Sequence, residues 1–129
     1  MIASEEAIAL LNKWKSGSTR VFIHSSISGV RCWFVGKVEH SSRAELHFGI
    51  DGIDTKDFLF VVVCSDARFS ILDVKEPTSL FFSPRRDFRY FGTILEIALP
   101  GRTRGEIEGR VIVTEVFPDK FIDVGSPIT

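Results

Sequence analysis

The sequence predicts a mainly β domain that begins with a single α-helix, and three observations carry that reading. Within residues 1–17 a helical apolar period runs from Ala7 to Trp14 and stops at Gly17. From Thr19 onward the period changes from 3.6 to 2. Turn residues then recur at the short spacings typical of small all-β folds.

The helix comes first. Ser4 is placed to cap it, and Glu5 and Glu6 in the first turn suit the positive end of the helix dipole. Ala7, Leu10, Leu11 and Trp14 recur at helical spacing and form one apolar stripe. Lys13 and Lys15 fall in the last turn, where positive charge is favoured, and Gly17 is a natural stop. A helix of about three turns is too short to persist alone, so the stripe must dock.

The strands follow. Val21 and Ile23 alternate with Arg20, Phe22 and His24, and a turn is expected at Ser28-Gly29. In the second strand Val30, Cys32, Phe34 and Val38 face inward, while Arg31, Trp33, Val35, Lys37 and Glu39 face outward. Gly36 interrupts this strand and suggests a bulge or sharp bend. Ala44, Leu46, Phe48 and Ile50 then alternate with Arg43, Glu45 and His47. These three strands read as an antiparallel meander with one solvated face. A polar loop with turn chemistry at Asp51-Gly52 leads to Phe58–Cys64, apolar at every position. Such a run predicts a central strand, covered by the sheet core on one face and by the helix on the other. Further strands are expected at Phe69–Val74 and Phe88–Leu99, with a short piece at Leu80–Phe82. After a turn at Pro100-Gly101, Ile107–Phe117 closes the sheet.

A short helix before bent antiparallel strands, with a glycine in the second, is similar in outline to Sm-like barrels. The resemblance covers Arg20 to Phe48. It implies a sheet closing into a small SH3-like or Sm-like barrel, with a split barrel or β-sandwich as the alternative. The paired RNA-reading motifs of that family are absent, so no function follows from it. The expected organisation is one domain over residues 1–129, with the helix in 1–17, the barrel in 18–117 and a tail in 118–129.

Composition limits the function classes. Sixteen basic residues face 17 acidic ones, so a net charge of −1 gives no general attraction to nucleic acid or anionic lipid. The start is acidic and the longest apolar run is only seven residues, which predicts neither a secretory signal nor a membrane span, and hence a soluble, cytoplasmic protein. Cys32 and Cys64, each in an apolar strand, read as free buried thiols without a disulfide or metal.

No catalytic or cofactor motif is present. G-x-S-x-G, the phosphate-cradling G-x-x-x-x-G-K and G-x-G-x-x-G are all missing. His24, His40 and His47 lack H-x-x-H and H-E-x-x-H spacing and read as histidines on solvated strand faces. Glu106 and Glu108 share a strand face, as an acid–base pair would, but any solvated strand shows the same spacing. The expectation is therefore a non-enzyme without a cofactor or metal.

The most distinctive segment is Phe81–Phe91, in which Arg85, Arg86 and Arg89 are interleaved with aromatics including Tyr90. Arg102, Arg104 and Arg110 follow. Guanidinium forks contact phosphates and aromatics stack on bases, so Arg85, Arg86, Arg89 and Tyr90 are the candidate binding residues. Arg85-Arg86-Asp87-Phe88-Arg89 contains an R-x-x-x-R that resembles the arginine motif of PilZ domains, which bind a cyclic dinucleotide. That family pairs it with a downstream Asp/Asn-x-Ser-x-x-Gly, and the 40 residues after Arg89 contain none. The nearest approximation, His24–Gly29, lies upstream and begins with His, so the ligand does not carry over. Aromatics beside arginines also typify protein contact surfaces. With Asp87, Glu96, Glu106 and Glu108 nearby to neutralise the patch, the composition favours a protein partner or homo-oligomer over nucleic acid or a cyclic dinucleotide.

Overall fold

A computed structural model describes residues 1–72, 91–101 and 107–116. One helix, α1 (Ser4–Ser16), is followed among these residues by seven strands: β1 (Val21–Ile27), β2 (Val30–Ser41), β3 (Glu45–Ile50), β4 (Phe60–Val63), β5 (Arg68–Leu72), β6 (Phe91–Pro100) and β7 (Ile107–Val116). They form one antiparallel sheet in the order β4-β3-β2-β1-β7-β6-β5. Two meanders, β1 to β4 and β5 to β7, are joined where β1 pairs with β7. That single long-range pairing unites the first and last described strands, Val21 opposite Glu115 and Ile27 opposite Gly109.

The helix docks through the expected stripe. Ala7, Leu11 and Trp14 are buried in one core with Val21, Ile23, Val38, Leu46, Phe48, Val62, Phe69, Leu95, Ile97, Val111 and Val113. These strand residues share one face of the sheet, as the period of two requires. The N-terminus of the helix differs from expectation. Ser4 is the first helical residue, and the Ala3 carbonyl accepts from the amides of Glu6 and Ala7 without a side-chain cap. At the other end Gly17 stops the helix with a negative φ, and Ser18, at φ 50°, takes the left-handed position. The Thr19 amide donates to the Trp14 carbonyl (2.9 Å) and the Ser18 amide to Lys15 (3.2 Å), which closes the helix with a Schellman motif.

The expected barrel is not formed. Strands β4 and β5 end the sheet and do not pair with each other. The reason lies in the concave face, where α1 packs chiefly on β2 and also touches β5. Its side chains share a core with Val62 of one edge and Phe69 of the other, so the helix fills the space that closure would need. Polar contacts fix it there. Arg43 Nη2 lies 2.5 Å from Glu5 Oε1, and the Ser41 hydroxyl bonds to Asn12 Oδ1 at 2.5 Å. The result, among the described residues, is one helix packed on a single seven-stranded antiparallel sheet that does not close into a barrel.

Two-sided burial falls elsewhere than the apolar run suggested. Phe22, His24, Ile94, Ile112 and Thr114 are buried on the outer face of β1, β6 and β7. These are the central strands, and the runs buried on both faces are residues 21–25 of β1 and 111–114 of β7. The expected central strand, Phe58–Cys64, instead yields the four-residue edge strand β4. Gly36 also acts differently from expectation. A Cβ there would overlap the Gly49 carbonyl oxygen on β3, so glycine permits a close crossing of two strands. The bulge itself lies between Val38 and His40. The turn at Ser28-Gly29 is as read, with both residues at positive φ (50° and 83°), the two-residue hairpin geometry that matches strand twist. Val74, the piece at Leu80–Phe82, the start of the strand read from Phe88 and the tail from residue 118 lie outside the described residues.

Candidate functional site: an open sheet edge

The described histidines and cysteines do not gather into one site. His24, expected on a solvated face, is 5% exposed, with the Trp33 ring edge-on at 5.9 Å. Its pKa is lowered to about 4, first by burial and then by the Arg31 charge. It is a neutral imidazole under a sheet face. His40 and His47 pair across β2 and β3 with ring centroids 4.8 Å apart, and His47 Nε2 lies 2.9 Å from Glu45 Oε1. Among the described residues no group of three His, Cys, Asp or Glu side chains could hold a metal ion. Cys64 is buried and Cys32 half-buried, and both are free. Burial, and then the Glu45 carboxylate, push the Cys64 thiol up, away from the thiolate a nucleophile needs. Glu108 accepts a bond from the Ser28 hydroxyl at 3.4 Å, whereas Glu106 lies outside the described residues.

Arg85, Arg86, Arg89 and Tyr90 lie outside the described residues, as do Arg102 and Arg104. Arg110 is described. It stands on the outer face of β7, with its Nε 3.8 Å from Glu96 Oε2 on β6.

The feature that sequence reasoning missed is the β4 edge. Phe60 and Val62 face the core, and register places Val61 opposite His47 and Val63 opposite Glu45 on the outer face. Val61 is 43% and Val63 64% exposed. The loop entering β4 adds exposed Ile53 and Phe58. Among the described residues only β3 pairs with β4, and no described strand lies on the other side of its backbone. Natural edge strands are blunted by an inward charge, a proline, a bulge or a cover, because an open ladder templates pairing with another chain. Phe58–Cys64 carries no charge and no proline, and its pairing with β3 runs without a register shift. The other edge is treated differently. Ile2 forms a bridge with Phe69 on β5, and its amide donates to the Phe69 carbonyl at 2.9 Å.

The sequence signal was present in Phe58–Cys64 but admitted two readings. A continuous apolar run fits a strand buried on both faces, and equally an edge strand that another chain covers. No helix among the described residues is long and apolar enough to cross a membrane. The chain matches no protein-family model, no curated protein and no solved structure.

Proposed function

We propose that this chain is a non-catalytic assembly module that pairs strand to strand through β4. The observation carrying the proposal is an uncharged edge strand with Val61 and Val63 exposed on its outer face. A partner strand supplies main-chain hydrogen bonds to the open ladder and apolar cover to the valines, the mode of β-augmentation. A second copy of the chain is the simplest partner. Antiparallel β4–β4 pairing about a two-fold axis presents the same patch from both sides and closes at a dimer. The Cys64 thiol, pushed up by burial and by the Glu45 carboxylate, and the buried His24 ring, lowered to about 4, support binding over catalysis.

Sedimentation velocity across a concentration series tests this. The wild type should sediment as a concentration-dependent dimer. Val61→Lys and Val63→Lys should be monomeric with unchanged melting temperatures, because both side chains already face solvent. A wild type that stays monomeric at the highest concentration, with no partner strand bound, refutes the proposal.

A further inference from the structure

At the end of the sheet where β1 turns into β2, the outer face carries a cleft of about 370 Å³ beside the first residues of β7. The cleft is independent of the β4 edge. Its polar wall is set by strand register: Ser26 stands opposite Arg31 on β2 and opposite Arg110 on β7. Arg31, Ser26 and Arg110 therefore form one row across three strands, all on the same face. Neighbouring strands lie about 4.8 Å apart, so the two arginine backbones are roughly 10 Å apart, a gap two guanidinium stems can close over the serine hydroxyl. Among the described residues no carboxylate pairs with Arg31. Arg110 forms a long ion pair with Glu96, its Nε 3.8 Å from Oε2, beyond hydrogen-bond length. Two forks thus flank a hydroxyl with donor capacity to spare.

The other walls refine the ligand. Glu108, at the rim, already accepts from the Ser28 hydroxyl at 3.4 Å. Its negative charge disfavours a polyanion and offers an acceptor to a ligand hydroxyl. Ile112 supplies an apolar wall for a carbon skeleton. The volume is at the lower end of ordinary small-molecule sites.

From this geometry we propose that the cleft binds a small phosphomonoester bearing free hydroxyls, its phosphate between Arg31 and Arg110 over Ser26 and one hydroxyl on Glu108. Guanidinium forks match phosphate oxygens bidentately, which a lysine pair would not.

Titration of the ¹⁵N-labelled protein with ribose 5-phosphate tests the assignment. The amides of Ser26, Ser28, Gly29 and Gly109 should shift and saturate, while ribose without phosphate leaves them in place. Arg31→Ala and Arg110→Ala should each weaken binding about tenfold or more, and the double variant should abolish it. Both side chains are solvent-exposed, so the dispersed spectrum of each variant should persist. AMP binding with the same shifts supports the site and identifies a nucleoside as an acceptable skeleton. Three outcomes overturn it: no saturable shift at millimolar ribose 5-phosphate, binding that survives the double variant, or pyrophosphate binding more tightly than the monoester. The last would mean that charge alone is being read.

Discussion

His24 makes stability depend on pH in a calculable way. Its imidazole is buried on the outer face of the sheet, edge-on to Trp33 and in register with Ile112, and its folded pKa of about 4 stands against 6.5 unfolded. The folded state therefore binds fewer protons than the unfolded state between these values. The contribution is nearly complete above about pH 7, is lost as pH falls through 4, and levels off about one pH unit below that. Linkage gives a loss relative to high pH of about 0.2 kcal/mol at pH 7, about 2 kcal/mol at pH 5 and about 3 kcal/mol at pH 4. Carboxylates titrate over the same range, so the assay must isolate one group. Urea denaturation of the wild type and of His24→Gln at pH 7 and pH 4.5 does this. Whatever the variant costs at pH 7, it should lose about 2.5 kcal/mol less than the wild type over the interval. An NMR titration should show the His24 ring neutral down to near pH 4. A midpoint near 6.5, or equal pH dependence in both proteins, would falsify the assignment of a buried neutral imidazole.

Other perturbations separate helix, turn and core. Trp14→Ala removes the largest fully buried side chain of the core and should cost about 3–5 kcal/mol by chemical denaturation; an unchanged midpoint would mean the helix is undocked. Ser18→Gly places the residue suited to φ 50° where the Schellman turn requires it, and should raise stability by about 0.5–1 kcal/mol. Gly36→Ala drives a methyl into the Gly49 carbonyl and should cost about 1–3 kcal/mol, read as a lowered melting temperature. Cys32 and Cys64 are free, so both should alkylate on unfolding without reductant, and reductant should leave the melting temperature unchanged.

The sequence was most informative where a residue's neighbours in the chain decide its environment. The N-terminal helix with its stop at Gly17, the hairpin at Ser28-Gly29 and the alternation of Leu46 and Phe48 with Glu45 and His47 are local patterns, and each is present, the helix beginning at Ser4 without the side-chain cap expected there. Pairing across the sheet is not local, and no run of neighbouring residues encodes it. Nothing in β1 announces that its other neighbour is β7, so alternation alone assigns Phe22 and His24 to a solvated face where the structure has a second buried layer. Period two tells which residues share a face but not whether that face is covered. The same gap misplaced β4: being apolar on both sides, it read as central.

Closure failed for a related reason. A glycine in a bent second strand is compatible with a barrel, but the decision rests on what occupies the concave face. The stripe of Ala7, Leu11 and Trp14 must be buried somewhere, and Trp14 alone needs more room than a closed small barrel leaves beside its own inward side chains. With the helix inside the curl, the sheet keeps two edges. Of the candidate site residues, Arg85, Arg86, Arg89 and Tyr90 lie outside the described residues, while the Arg31–Ser26–Arg110 row exists only through register. Arg31 and Arg110 are 79 positions apart in the chain, and no spacing rule could have joined them.

The two edges then differ in what each can do. At β5 the Ile2 amide already occupies the Phe69 carbonyl, so part of that ladder is spent within the molecule. At β4 alternation divides four residues between two tasks. Phe60 and Val62 pack on the core beneath the sheet, whereas Val61 and Val63 point away and add little to the stability of a single chain. Burying apolar surface is favourable at about 25 cal/mol per Å² whichever chain provides the cover. A partner strand therefore gains from the valines what the monomer leaves unused. Substitutions at Val62 must alter folding and assembly together, and substitutions at Val61 or Val63 must alter assembly alone. A lysine at Val63 that lowered stability as much as a polar residue at Val62 would place that side chain in a core, and the edge would not be free to pair.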